Sequence, residues 1–407
     1  MKKPNTHSSN PAITSIFTAD PSAHVWDDGK IYIYASHDMD PARGCDLMDR
    51  YHVFSSEDMV NWLDEGEILA AADVKWGRPE GGFMWAPDAA YKNGTYYFYY
   101  PHPSGTEWNK TWKMGVASSK YPAKEFTDLG YIDGMGGFAL IDPCVLVDDD
   151  ERAYIYYGGG SRCMGGELNE DMVSLKTPMV DMVGLDDFHE AAWAFKRNGI
   201  YYLTYSDNNH GANHMKYCIS ENPLGPWEYK GIFLEPTGCD TSHGSVVEYK
   251  GQWYMFYHNQ AISGRGNLRS VCIDKLFFND DGTIKTVEQT KTGVPAVGEP
   301  PKVCPFLKEY ASPNTNVLNE GEAVTFTNVY GHKGGRVSLH VNYKTEAPLA
   351  KLNLRVNGAD YTLINALGND EYTNLTVTMN EGETNEVVLT AAKGEISIIK
   401  LEAYPLR

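Results

Sequence analysis

The feature that most limits what this chain can fold into is a repeat. Five stretches carry one pattern: DDGKIYIYASHD from Asp27, KNGTYYFYYPH from Lys92, DDERAYIYYGG from Asp149, RNGIYYLTYSD from Arg197 and YKGQWYMFYHN from Tyr249. Each is a turn dipeptide followed by alternating aromatic and β-branched or apolar residues, which is the signature of a β-hairpin. The copies recur every 50–65 residues or so. A period of that size with strand content throughout implies a β-propeller, here of five blades. At 407 residues, 42% of them hydrophobic, the chain can bury one large core or two domains.

Aligned on the second turn residue (Gly29, Gly94, Glu151, Gly199 and Gly251), the copies place Asp20, Trp85, Asp142, Glu190 and Ser242 at one register position, nine residues earlier. The contexts are TADPSAHV, MWAPDAAY, LIDPCVLV, FHEAAWAF and TSHGSVVE. When the strand before each such turn is the one beside the propeller axis, equivalent positions converge at one end of the channel. One carboxylate at a strand start is ordinary architecture. Three in register, beside a Trp and with few cations in the same segments, raise one another's pKa and point to a site.

Two carboxylates across a pocket are the equipment of glycoside hydrolysis. One, kept protonated, gives its proton to the leaving oxygen. The other, ionised, activates water or attacks the sugar. A third carboxylate nearby helps to hold the acid protonated near neutral pH. Trp85 offers an apolar wall for a sugar ring. Phe83 precedes it in the loop DVKWGRPEGGFMW, which is placed to shape the pocket. Aromatic residues make up 12% of the chain, with 27 Tyr and 9 Trp, which suits strands and sugar-stacking surfaces alike.

A net charge of −19 argues against nucleic acid or an anionic membrane as partner and fits a neutral ligand. There is no apolar run long enough to span a membrane. The seven Cys are scattered without a C-x-x-C pair, which argues against a zinc site or a disulfide framework and for small core residues. The first residues, MKKPNTHSSN, hold no apolar leader segment. The expected compartment is therefore cytoplasmic, or secreted or periplasmic if a leader has been removed.

Taken together, TADPS, MWAPD, LIDPCVLVDDD, HEAAW and TSHGSVVEYKGQWYMFYH, in this order and register, resemble glycoside hydrolase family 43 over roughly residues 10–300. The resemblance implies a five-bladed propeller that hydrolyses arabinose- or xylose-containing plant polysaccharides with inversion. By motif, Asp20 is the implied general base, Glu190 the general acid, and Asp142 the residue that tunes and orients the acid. The implied substrates are arabinoxylan and xylo- or arabino-oligosaccharides. The acid motif reads Glu-Ala-Ala where the family often has Glu-Ala-Pro. The stretches CDLMDRYHVFSSEDMVNW and GRPEGGFMWAPDAAYKNG lean towards the exo-acting arabinofuranosidase and xylosidase branch, with galactan- or arabinan-degrading relatives as the alternative.

His243 matches a histidine that points at a central ion, often calcium, held mainly through waters. A lone histidine reads equally well as a hydrogen-bonded structural residue, and one protein ligand makes a weak calcium site. The ion's implied role is structural, and the chemistry itself needs no cofactor. Arg269, in GRGNLRSVCIDKL, matches a substrate-contacting arginine; the plain alternative is a surface cation beside a strand. Asp88 reads as a brace. His37, Asp38, His210 and His214 follow the hairpins, at a rim or in solvent. Two rivals remain: a non-catalytic sugar-binding propeller, and a phosphorylase or transferase. The first does not need both carboxylates. The second needs a basic phosphate pocket, and no Arg/Lys/His cluster lies next to the register residues.

After VPAVGEPPKVCPFLKEYASPNTNV, which reads as a linker, the texture changes. EAVTFTNVY, GRVSLHVNY, KLNLRVNGADYTL, YTNLTVTMN, NEVVLTAA and ISIIKLEAY are alternating strands, with turns at Asn357-Gly358 and Glu381-Gly382. They predict a small antiparallel, jelly-roll-like β-sandwich. The expected division is thus a catalytic propeller over 1–305 and an accessory sandwich over 311–407. The tail resembles a carbohydrate-binding module of family 6 type, but it has no Trp. Tyr372 stands at the place of the usual ligand aromatic, and a purely bracing domain is an equal reading.

Overall fold

The computed structural model describes residues 8–40, 45–107, 110–136, 139–298, 307–314, 316–368 and 370–406. Cys304 and most of the predicted linker's first half lie outside them. Among the described residues the fold is all-β, with two short 3-10 turns and no α-helix.

Five antiparallel sheets follow one another along the chain. The first holds β1 (Thr18–Val25), β2 (Ile31–His37), β3 (Arg50–Ser56) and β4 (Trp62–Ala70). The second holds β5 (Asp88–Lys92), β6 (Thr95–Pro103), β7 (Trp112–Ser119) and β8 (Thr127–Tyr131). The third holds β9 (Cys144–Val147), β10 (Ala153–Gly159), β11 (Arg162–Leu168) and β12 (Val180–Asp181). The fourth holds β13 (Phe188–Arg197), β14 (Ile200–Asp207), β15 (Met215–Ser220) and β16 (Glu228–Leu234). The fifth has three strands: β17 (Ser245–Tyr249), β18 (Gln252–Asn259) and β19 (Ser270–Leu276).

The five predicted hairpins are the first two strands of these five sheets. Their turns explain the sequence. Asn93-Gly94, Asn198-Gly199 and Lys250-Gly251 each put two successive residues at positive φ. That is the left-handed pair which matches the twist of a two-residue hairpin and favours Asn-Gly. The first strands touch in a ring: β1 with β5, β5 with β9, β9 with β13, β13 with β17, and β17 with β1. Whatever these strands carry at corresponding ends is thereby brought together.

The remaining strands form two more sheets. β20 (Lys308–Ala311), β28 (Ser397–Pro405), β22 (Gly335–Lys344) and β26 (Tyr372–Met379) lie in that order. The other sheet runs β21 (Ala323–Val329), β27 (Asn385–Lys393), β23 (Leu349–Val356), β24 (Ala359–Asp360), with β25 (Ile364–Leu367) also on β23. The six predicted strands form. β20, inside the expected linker, and β25 were not predicted; both are four residues long, too short to show a period.

One apolar cluster runs from the first and fifth sheets into the C-terminal pair: Ile33, Phe54, Phe256 and Val271 share it with Val337, Leu339 and Leu375. Emptying a site such as Leu339, fully buried, with Leu→Ala costs about 2–5 kcal/mol. Polar contacts lock the same junction. Asp64 of β4 accepts the Thr376 N–H at 3.2 Å, and Arg336 pairs with Glu65 at 3.3 Å. Gly66 has φ +91°, which favours glycine, and a Cβ there would sit a tight 3.2 Å from Thr376 Cγ2 of β26.

Candidate active site

The register residues do converge, though not as regular strand residues. Asp20 lies in β1 at a register break between Ala19 and Ser22, with φ +51°. Asp142, φ +53°, stands just before β9. Glu190 falls between two register breaks in β13, followed by Ala191 at φ +65°. A left-handed backbone costs an ordinary residue about 1–2 kcal/mol, less for Asp. Such breaks re-aim side chains at sheet ends beside active sites. Trp85 and Ser242 likewise precede the first strands of their sheets.

Asp20 is buried at 5% exposure, yet it is held as a carboxylate. Its Oδ1 accepts from Arg269 Nη1 at 2.9 Å, and its Oδ2 accepts from the Ser36 hydroxyl at 2.9 Å. Burial pushes the acid up, but Arg269 above all, with the Ser36 hydrogen bond, outweighs it and holds Asp20 below the ordinary aspartate value. His258 is neutral. Its Nδ1 accepts the Asp20 N–H at 3.1 Å and its Nε2 donates to the Thr241 carbonyl at 2.8 Å; burial and Arg269 push it down to about 3.

Asp142 and Glu190 go the other way. Burial, then the Glu190 and Asp20 charges, push Asp142 well above its ordinary value. Its Oδ2 accepts the Ala191 N–H at 2.8 Å and lies 3.6 Å from His243 Nδ1. Burial and Asp20 raise Glu190, against the pull of His189 and Arg269. Like charges that oppose one another do not readily all ionise, so the pair holds a proton above the ordinary carboxylate range. Glu190 is the member that can hand it out: its side chain is 18% exposed, against 7% for Asp142.

Trp85 packs on Trp112 with ring centroids 4.6 Å apart, and its indole N–H donates to the Cys45 carbonyl at 3.0 Å. Phe83 lies behind them, 5% exposed and 6.1 Å from Trp112, so it backs the wall rather than facing solvent. Trp112 escaped the sequence reading because it sits on a third strand, outside the hairpin register.

Arg269 is no surface cation. It is 8% exposed and grips Asp38 through Nε and Nη2, both at 2.9 Å, while Nη1 reaches Asp20. The placing of His37 and Asp38 at a rim or in solvent is corrected: both are 2% exposed, Asp38 because Arg269 closes over it and His37 because it packs against His52 and Thr362. His214 is half-buried and pairs with Asp207 at 2.8 Å, while His210 is exposed. Asp88 braces three sheets, accepting from Ser22 at 2.6 Å, His24 at 2.7 Å and the Val145 N–H at 2.5 Å.

Among the described residues no group of three His, Cys, Asp or Glu side chains is arranged to hold a metal. His243 offers one imidazole nitrogen beside Asp142, whereas calcium asks for a shell of oxygens. These side chains do not fit a directly liganded calcium, and no step below passes through one. Gly244 lets the chain pass close to β18: a Cβ would lie 2.0 Å from the Phe256 carbonyl oxygen.

Comparison with known proteins agrees with this chemistry. The family model "Glycosyl hydrolases family 43" matches residues 8–284. Xylosidase/arabinosidase 43A of Humicola insolens is 34% identical over 333 residues, covering 68% of this chain and 98% of that protein. An arabinoxylan arabinofuranohydrolase of Bacillus subtilis is 31% identical over 379 residues, 78% of this chain and 68% of that one. Among solved structures, a β-xylosidase/α-arabinofuranosidase from a compost metagenome, in complex with xylotriose and calcium-free, superposes with a TM-score of 0.63 at 34% identity, covering 70% of this chain and 98% of its own. A B. subtilis arabinoxylan arabinofuranohydrolase in complex with cellotetraose reaches a TM-score of 0.63 at 25% identity and covers 98% of both chains. A chain with these matches and this carboxylate cluster is a glycoside hydrolase and belongs to the glycosyl hydrolases of family 43.

Proposed function

We propose that this chain is an inverting, exo-acting glycosidase that removes terminal α-L-arabinofuranosyl or β-D-xylosyl residues from arabinoxylan and its oligosaccharides. One observation carries the reading: three carboxylates share a buried site in which Asp20 is held ionised while Glu190 and Asp142 are pushed towards the protonated state. That is the split acid–base chemistry needs. Glu190 protonates the departing glycosidic oxygen. Asp20 takes a proton from the water that attacks the opposite face of the sugar. Asp142 shares the pair's proton and orients the acid through its hydrogen bond from the Ala191 N–H. The Trp85–Trp112 pair forms the wall against which the sugar lies, with Phe83 behind it, and Arg269 contributes to binding beside the base. The choice of sugars follows the relatives, named for xylose and arabinose.

The architecture proposed with it is a five-bladed propeller over 1–305 and a carbohydrate-binding-module-like sandwich over 311–407. The ring of contacts among β1, β5, β9, β13 and β17 supports the first. The two C-terminal sheets and the full-length likeness to the B. subtilis enzyme support the second. Any calcium belonging to this reading keeps its water shell near His243 and serves the structure alone.

Product analysis tests the function. Xylotriose and arabinoxylan are incubated with the protein, and released sugars are followed by chromatography and by proton NMR of the first anomer formed. Monosaccharide released with inverted anomeric configuration is the expected result. Internal cleavage to oligosaccharides, or retention, contradicts it.

A further inference from the structure

The guanidinium that holds Asp20 is itself held from the other side. Asp38 takes Arg269 Nε and Nη2 at 2.9 Å each, and also its backbone N–H at 2.7 Å. Only Nη1 is left for Asp20 and, at 3.1 Å, the Thr241 hydroxyl. Asp38 follows directly on the end of β2, and the segment 37–40 it belongs to lies against the C-terminal sheets. Lys351 of β23 pairs with Asp40 and lies 5.3 Å over the ring of Phe17, whose carbonyl accepts the Asp38 N–H at 3.1 Å. Thr362 meets His37 Nε2 at 3.4 Å.

We propose that the C-terminal sheets are a working part of the catalytic site: by holding residues 37–40 they fix Asp38, a positioning residue that shares Arg269 with Asp20. The inference rests on Asp20 being the base. A base must be ionised, yet it must still accept a proton. A guanidinium given wholly to Asp20 would occupy both its oxygens in a bidentate pair and make it a poor base. Asp38 prevents that by taking the fork's other two nitrogens. The groups facing Asp20 are Arg269, Ser36, His243, His258, Asp142 and Glu190, with Asp38 and Tyr51 within reach of its charge. The titratable groups facing Asp38 are Arg269 and, through charge, Asp20, Cys45 and Cys239. Taking the charge from Asp38 therefore leaves Arg269 to Asp20, and both the lost like charge and the freed cation make Asp20 more acidic.

The test is the pH dependence of kcat and kcat/KM on a nitrophenyl glycoside for wild type, Asp38→Asn, Lys351→Ala, Lys351→Arg and Asp20→Ala, each full length, with thermal melts to confirm folding. Asp38→Asn is expected to lower kcat at least tenfold and to move the acid limb to lower pH. Lys351→Ala is expected to move it the same way by a smaller step, and Lys351→Arg to restore the wild-type profile. A folded Lys351→Ala with the wild-type profile overturns the role of the C-terminal sheets. A wild-type profile in Asp38→Asn overturns the sharing of Arg269. Should Lys351→Ala fail to fold, Asp40→Asn, which weakens the same pair from its other partner, takes its place under the same criteria. Full activity in Asp20→Ala instead removes the base assignment itself and is distinguishable from both.

Discussion

Asp142 Oδ2 accepts the backbone N–H of Ala191, the residue that follows Glu190, at 2.8 Å. One carboxylate is thereby pinned to the chain that carries another, so their repulsion is fixed by geometry. Substituting Asp142→Asn keeps an acceptor for Ala191 but removes the charge. The alkaline limb of kcat/KM, set by loss of the acid's proton, is expected to shift to lower pH, with kcat down about tenfold or more. A pH–rate profile beside wild type checks this; an unmoved alkaline limb contradicts it.

Arg269 works on the opposite limb. Asp20 is depressed in the folded state, so its stabilising contribution is present above the unfolded aspartate value of about 3.9 and lost as pH falls through the lower folded value. Arg269→Met removes the strongest of the groups that oppose burial at Asp20. The acid limb of activity is then expected to move up in pH. Two buried carboxylates also lose their partner, which costs about 3–5 kcal/mol of stability. Urea denaturation and a pH–rate profile of the variant measure both; unchanged values in either contradict the geometry.

Glu190 should show its role through the leaving group. Nitrophenol departs with little acid help, whereas a sugar hydroxyl does not. Glu190→Gln is expected to lose about 10²–10⁴-fold in kcat on xylobiose but far less on a nitrophenyl glycoside. Equal losses on the two substrates contradict an acid role.

A fourth prediction concerns stability away from the site. His52 is buried, its ring nitrogens 3.6 Å from Asp64 and 3.5 Å from Glu67. Burial pushes the imidazole down, but the two carboxylates outweigh it and raise it to about 9. A histidine raised above its unfolded value of about 6.5 gives stability that is full below that pH and lost as pH rises through the folded value. Because these separations exceed hydrogen-bond lengths, the loss is on the order of 1–3 kcal/mol. Urea midpoints at pH 6, 7.5 and 9 are expected to fall steadily in wild type and less in His52→Asn. Parallel slopes contradict it.

Much of this was legible in the sequence, for physical reasons that can be named. Asn93-Gly94 and Asn198-Gly199 demand left-handed turns, so the hairpins and their register could be placed without coordinates. The same register brought Asp20, Asp142 and Glu190 to one site, because corresponding ends of ringed strands meet. Part of what stayed hidden depends on contacts across more than two hundred residues. Asp38 looks like a solvated residue after a hairpin until Arg269, 231 positions on, closes over it. His258 reads as the end of a strand, and only the fold shows its ring against the Asp20 backbone. Trp112 belongs to a third strand, which carries no turn signal of its own. The left-handed backbones at Asp20 and Asp142 are likewise invisible in a pattern of alternation.

The most direct test of the account is hydrolysis of p-nitrophenyl α-L-arabinofuranoside and p-nitrophenyl β-D-xyloside by wild type and by Asp20→Ala. Wild type is expected to release nitrophenol from at least one of them, and Asp20→Ala, folded by circular dichroism, to lose nearly all of that activity. A folded Asp20→Ala as active as wild type would contradict the assignment of Asp20 as the base.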